Sequence, residues 1–337
     1  MSDVLKISEL EIGTTCQIPL VVTSATPSLT KAKKKYLSLK FFDGTDAIAG
    51  NYWDWNGLVV PEKNTIVDVR ATVGAWQGNK QLNINGMSLN KEMKLSDFAP
   101  QSGLDISAVY REAYVLATDI CDDDLRGLTL FLLEHFRDDW LEAPAARSIH
   151  HAYVGGLLVH SLSVAKIAKA IALTKPTINV DLCVAGGLLH DIGKMQAYKL
   201  DGVVIEMTDE GMLYDHLFIG AEMIGHYAYS AIPADSGTTL QKIELLRHML
   251  LSHHGALEHG AVVPPQCIEA HIVFHADMLD AISETVSTSS RKVSSDSKWT
   301  EKIWSLSNRP NLTIQYVHKV MAASTNNINT AVHNAVE

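Results

Sequence analysis

Residues Leu188–Lys194 read LLHDIGK, the close of an apolar run, VAGGLL, that brings His190 and Asp191 side by side ahead of a glycine. The run lacks strand alternation. Gly186 and Gly187 are small enough for helices to approach closely, and Gly193 is placed as a helix-ending residue, so the spacing predicts a buried helix whose last turn carries an imidazole and a carboxylate. Burying such groups without partners costs about several kcal/mol. The rest of the chain must supply those partners.

Outward from this stretch the texture is helical from about residue 105. DDDLRGLTLFLLEHFRDDWLEA starts acidic and spaces apolar residues by three and four, and GGLLVHSLSVAKIAKAIAL repeats the pattern. Further helices are expected at YDHLFIGAEMIGHYA, LQKIELLRHMLLSHHG and PPQCIEAHIVFHADMLDAISETV, with a small hairpin at YKLDGVVIEMT. STSSRKVSSDSK reads as a mobile polar stretch, and residues past about 320 are weakly specified.

His160 lies on the stripe of Leu157, Val164, Ile167 and Ile171 and so faces inward. Taken alone, it reads as a core histidine with its hydrogen bonds satisfied. His216, His253, His254 and Asp277 also fall at helix ends or within apolar runs. One shared cation resolves the whole set. Neutral imidazoles and ionised carboxylates suit Mn, Fe, Co, Ni or Zn, so their order along successive helices predicts one or two ions inside a helical bundle. HIVFH, His271 to His275, has zincin spacing, but Ile272 stands where the catalytic glutamate would be. His275 is expected to pack or to support Asp277.

Residues from about 10 to 90 read as about five short strands, four of them visible as motifs: YLSLKFF alternates before the turn DGTD, AIAGNYW follows, and QGNK turns TIVDVRATVGAW into QLNING. A small closed barrel of the OB-fold type is expected. Lys31, Lys33, Lys34, Lys35 and Tyr36, with Phe41, Trp53, Trp55 and Trp76, make a candidate single-strand surface, extended by Lys80 and Gln81. The competing reading makes the rings barrel core and the lysines a solvated loop.

The net charge of −10 argues against nucleic acid at first sight. Yet residues 1–100 hold 11 Lys and Arg against 10 Asp and Glu, while of the 15 histidines none precedes His135 and 12 lie between His150 and His275. Two functionally different halves follow. Cys16, Cys121, Cys183 and Cys267 form no CxxC pair, and with neither an export signal nor an apolar span the reading is a cytoplasmic protein with reduced thiols and no membrane partner.

The ordered motifs HHAYVGGLLVHSLSVAKIA, GGLLHDIGK, LLRHMLLSHHG and CIEAHIVFHADMLDA resemble the HD-domain metallophosphohydrolases, and more narrowly, with the barrel and the tail WTEKIWSLSNRP, the YhaM-type 3′ to 5′ exoribonucleases. The resemblance implies that His160, His190, Asp191 and Asp277 hold one ion, and that Asp191 bridges to a second held by His216 and by His253 or His254. Manganese is expected first, with Fe, Co, Ni, Zn or Mg as alternatives. Lys194 would bind phosphate, the alternative being a solvated helix-end lysine. His150 and His151 would orient substrate or support the ligands, unless they are a surface pair.

The expected fold is multidomain, α and β: an OB-fold barrel over 1–92, a helical linker over 93–145, an all-α HD bundle over 146–290 and a tail over 291–337. The expected activity is metal-dependent 3′ to 5′ hydrolysis of single-stranded RNA or DNA, with homo-oligomers implied by the family. A phosphohydrolase of small nucleotides, such as cyclic dinucleotides or nucleoside phosphates, is the first alternative. A binding protein with a structural HD site is the second.

Overall fold

The computed structural model describes residues 5–57, 59–99, 103–146, 151–231 and 237–322. Its first part is a barrel of β1 (Thr15–Leu29), β2 (Lys35–Phe42), β3 (Ala47–Tyr52), β4 (Ile66–Trp76) and β5 (Asn79–Leu89). Strand β1 is long enough to pair with two neighbours, running antiparallel to β4 over Thr15–Val21 and to β2 from Val21 onward, with a register shift between Val22 and Ser24. That bulge bends the strand around the barrel. Parallel pairing of β3 with β5 completes the closed order β1-β2-β3-β5-β4, the OB-fold arrangement.

Alternation places Ile18, Leu20, Leu37, Leu39, Val69 and Leu82 inside. Phe41 joins them fully buried, against its expected place on the binding surface, and Gly50 leaves room for its ring. No helix separates β3 from β4 among the described residues.

The second part contains α1 (Ile106–Thr118), α2 (Asp123–His135), α3 (Arg137–Glu142), α4 (Gly156–Ala172), α5 (Val180–Leu189), α6 (Lys194–Ala197), β6 (Tyr198–Asp201), β7 (Val204–Met207), α7 (Asp209–Ala231), α8 (Gly237–Ser252) and α9 (Ile268–Arg291). Asp105, Asp122 and Asn179 accept the Ala108, Leu125 and Leu182 amides and so cap α1, α2 and α5. Segment 93–145, read as a linker, contributes Tyr110, Leu128 and Trp140 to the same apolar core as the later helices. None of these helices is long and apolar enough to cross a membrane, among the described residues.

The hairpin β6–β7 joins the two parts. Lys63 of the barrel pairs with Asp201 at 2.8 Å and with Glu206, and Val203 packs with Val21, Ile66 and Phe98. Because the hairpin directly follows α6, the barrel is anchored one element away from LLHDIGK.

The polar stretch after residue 286 differs from its expectation. Helix α9 continues through Arg291, which binds Glu284 at 2.9 Å, while Ser290 receives the Ile314 amide at 3.3 Å. Thr285 and Ser283 return their hydroxyls to carbonyls one turn back, which lets hydroxyl residues stay helical. The 320s lie largely outside the described residues.

Candidate metal centre

Close helix packing builds the site. A Cβ on Gly187 would stand 2.6 Å from the Ala165 Cα, so α5 presses on α4 and brings His190 beside His160. Gly193 does not end its helix in a left-handed turn, as expected from its position; its φ is −62°. Its role is proximity, since a Cβ there would lie 2.1 Å from the His216 carbonyl of α7. Just before His216, Asp215 adopts φ 60°, an uncommon conformation for a side-chain-bearing residue, and accepts the His216 amide at 2.6 Å and its Nδ1 hydrogen.

Two clusters meet at Asp191. Its Oδ2 lies 3.4 Å from His160 Nε2 and 3.3 Å from His190 Nε2, and its Oδ1 lies 3.3 Å from His216 Nε2 and 3.4 Å from His253 Nε2. Asp277 Oδ1 stands 3.1 Å from His160 Nε2, and one nitrogen from each of His216, His253 and His254 lies within 4.8 Å of the others. Donors each about 2.1 Å from a common ion stand about 3.0–3.4 Å apart, the separations found around Asp191.

The outer nitrogens explain the aim of the inner ones. His160 Nδ1 lies 2.7 Å from Asp280, His190 Nδ1 lies 2.9 Å from the Gly187 carbonyl, and His253 Nδ1 lies 2.7 Å from the Leu250 carbonyl. His254 Nδ1 similarly faces the His259 carbonyl at 3.1 Å. With Nδ1–H donated outward, each Nε2 lone pair points to the centre. Asp191 Oδ1 and His216 Nε2 are buried without a hydrogen-bond partner. A divalent cation satisfies both orphans at once, so the residues fit a metal.

Charge agrees with the geometry. Burial works against charge on His160 and His216, yet neighbouring carboxylates, Asp191 first in each case, hold both pKa values above the usual imidazole range. Burial also opposes ionisation of Asp191, but the Lys194 ammonium and His190 hold its carboxyl well below the usual range. Burial lowers His253, and together with His253 and His216 lowers His254 to about 4, so both imidazoles are held neutral, the form able to bind a metal. The centre favours positive charge.

Lys194 is buried with its Nζ 2.5 Å from Asp191 Oδ2, rather than a solvated helix end. His151 is also buried, its ring nitrogens 2.8 Å from the Tyr153 hydroxyl and 2.9 Å from Asp280. That position is behind His160, on the Asp280 carboxylate that both imidazoles share, which suits the supporting one of its two expected roles and excludes the surface pair; His150 lies outside the described residues. His275 is exposed and does not reach Asp277, because two residues on a helix point in nearly opposite directions.

The sequence reading missed Asp280 and Asp215. Asp280 had a signal, lying three residues beyond Asp277 on the same helix.

On the barrel, Tyr36 stacks on Trp53 with centroids 4.7 Å apart, and Trp53 Nε1 donates to Asn83 at 3.1 Å. Trp53 is 40% exposed and Trp76, at the β4–β5 turn, 66% exposed. Lys33 and Lys35 are exposed in or beside the β1–β2 loop, while Lys34 pairs with Asp54 at 3.0 Å. Trp55 is half-buried against the core, and Lys80 donates to the Ser8 carbonyl.

A barrel joined to a buried histidine and aspartate centre in a helical bundle defines an HD-domain hydrolase with an OB-fold module, and the family described as HD domain matches residues 157–282. A 3′-5′ exoribonuclease YhaM from Geobacillus sp. (strain WCH70) is 33% identical over 310 residues, 89% of this chain and 92% of its own length. The chain belongs to this family, the YhaM-type 3′-5′ exoribonucleases. The second OB-fold domain of replication protein A from Methanococcus maripaludis aligns at TM-score 0.23 and 22% identity, covering 27% of this chain and 97% of that one. A second structure of a replication protein A domain from that organism aligns at 0.22 and 26% identity, over 25% and 92%.

Proposed function

We propose that the chain is a metal-dependent exonuclease that removes nucleotides from the 3′ end of single-stranded RNA or DNA, its barrel holding the strand and its helical bundle cutting it. The observation that carries the reading is the division of Asp191, one oxygen toward His160 and His190 and the other toward His216 and His253. That division suits two ions bridged by one carboxylate. His160, His190, Asp191 and Asp277 would hold the first, and His216, His253 and His254 the second. Manganese is the first ion to test, ahead of Fe, Co, Ni, Zn and Mg, because imidazole and carboxylate donors suit several borderline cations.

Bound divalent ions would supply Lewis acidity, neutralising charge on the phosphodiester and lowering the pKa of water. The chain's own groups do the rest. Lys194, kept protonated beside Asp191, presents an ammonium to phosphate. Asp215 and Asp280 hold His216 and His160 in the tautomer that turns Nε2 inward. Tyr36, Trp53 and Trp76 offer faces to bases, and Lys33, Lys34 and Lys35 offer charge to the backbone.

A 5′-labelled oligonucleotide with Mn²⁺ tests the reading: stepwise shortening from the 3′ end is expected, and His190→Ala with Asp191→Ala should abolish it while strand binding persists. An intact strand in every divalent metal sinks the proposal. Turnover of a dinucleotide with no gain for longer strands would favour a small-nucleotide hydrolase. A cytoplasmic location and association into homo-oligomers belong to the same reading, the latter read out by solution mass.

A further inference from the structure

The C-terminal segment opposes the chain's overall charge. Between Arg291 and Ala322 stand Arg291, Lys292, Lys298, Lys302, Arg309 and Lys319 against Asp296 and Glu301, in a chain of net charge −10. It folds on itself through Trp299 paired with Leu312 and Ile303 paired with Arg309, and returns to the end of α9 where the Ile314 amide and the Gln315 side chain donate to Ser290 at 3.3 and 3.2 Å. Ile303 is buried by this turn, and its neighbour Trp304 is 84% exposed. Ser307 and Asn308, at φ 57° and 53°, reverse the chain beyond it.

Trp304 borders a groove of about 230 Å³ whose other walls include Thr285, Thr288, Ser289, Lys292 and Ser305. An exposed indole, an ammonium and several hydroxyls surround one space. Its position relates it to the metal centre: Thr288 follows Asp277 by three helical turns on the same face of α9, and Lys292, the helix's C-terminal cap, continues that side about one turn further. At about 1.5 Å per residue, Lys292 lies about 22 Å along the axis from Asp277. Glu284, on the intervening face, is matched by Arg291 and Thr288 at 2.9 Å each. Lys292 also reaches Asp46 of the barrel at 3.3 Å. The groove therefore adjoins the barrel through Lys292 and stands at the far end of the helix that carries Asp277.

We propose that this groove binds a nucleotide of the single strand several positions before the 3′ end, with Trp304 stacking on its base and Lys292 contacting its phosphate. The proposal rests on the exonuclease reading and adds a contact surface to it. A polyanion fits because the segment is locally basic in an acidic chain, and an indole stacks on any base without sequence preference. Lys298, 5.7 Å from the Trp299 ring centroid and 5.1 Å from that of Tyr316, continues the same chemistry along the segment.

The test uses the full chain in chelator, with a strand of about ten nucleotides, within the range of single-strand site sizes, carrying a fluorescent base at successive positions. The wild type should quench one internal position. Trp304→Ala should abolish that quenching and weaken binding about tenfold or more, Trp304→Phe should retain both, and Lys292→Gln should reduce the salt dependence. In a separate assay with divalent metal supplied, hydrolysis of a dinucleotide, too short to reach the groove, should be unchanged in all three.

Equal affinity and quenching in wild type and Trp304→Ala overturns the groove while leaving the exonuclease reading intact. A changed solution mass in Trp304→Ala with unchanged strand binding overturns it too, and assigns the surface to a second copy. A wild type that neither binds nor cuts strands sinks both.

Discussion

His160 depends on residues that touch no substrate. Its Nδ1 and His151 Nε2 both face Asp280 Oδ2, at 2.7 and 2.9 Å, so one carboxylate orients a ligand and is itself held by a second imidazole and Tyr153. Replacing Asp280 with Asn is expected to weaken metal affinity about 10- to 100-fold. Competition against a chelator checks this, and wild-type affinity would remove Asp280 from the site's support. Lys194 acts differently. Burial disfavours its charge, but Asp191 more than compensates and keeps it protonated. Lys194→Gln should lower kcat about hundredfold, as loss of one electrostatic contact to a developing charge does, with metal content unchanged by elemental analysis. A variant with full turnover would make the lysine a merely structural partner of Asp191.

At the scale of elements, the site depends on helices pressed together where side chains are missing. Gly193→Ala would set a methyl against the His216 carbonyl and the Gly220 amide, both backbone groups with little freedom to yield. A loss of about 1–3 kcal/mol is expected from such overpacking. Loss of bound metal should accompany it through displacement of His216; thermal unfolding and metal stoichiometry at the wild-type level would contradict this.

The β2–β3 turn of the barrel has its own anchor in Asp43, which accepts from the Ile7, Thr45 and Asp46 amides and the Thr45 hydroxyl at 2.6–2.8 Å. Burial raises its pKa, but these donors outweigh burial and set it below the usual value. A depressed folded pKa contributes stability above the unfolded value of about 3.9, and that contribution is lost as pH falls through the folded pKa. Asp43→Ala should therefore cost about 1–3 kcal/mol near neutrality and progressively less in acid. Denaturant melts at several pH values read the difference, and a cost independent of pH would assign the effect to packing alone.

For the molecule as a whole, one buried centre draws on α4, α5, α7, α8 and α9, so metal binding and folding are linked. Free metal at a hundredfold above its Kd adds about 2.7 kcal/mol to stability. Chelation should lower the Tm, re-added metal should restore it, and the gain should shrink on acidification because imidazoles bind metal only when neutral. A Tm indifferent to chelator would mean that the cluster is stable without an ion. The barrel is attached less firmly. The Lys63 pairs are partly exposed, so solvent screens them and they hold weakly. The apolar contact of Val203 with Val21, Ile66 and Phe98, the Asn64–Asp201 hydrogen bond at 3.0 Å and the Lys292–Asp46 pair at 3.3 Å add to the junction.

Much of this is local pattern. Adjacency of His190 and Asp191 at the end of an apolar run, His160 on an inward stripe and the β-branched alternation of the barrel follow from helical and strand periods, which depend only on neighbours in sequence. The histidines and aspartates that gather at the centre, and their order along the chain, were therefore determined by the sequence itself. Gly193 was not readable, because its need is the approach of a carbonyl 23 residues away rather than a backbone angle. Asp280 was passed over although its spacing from Asp277 pointed to the same side of α9. Tertiary structure alone decided that Asp191 divides its oxygens, that His253 and His254 both face His216, that α1–α3 belong to the helical core and that the polar tail folds over α9. Each of these depends on which distant backbones come into contact, and a linear pattern contains the surfaces that meet but not the distances at which they meet.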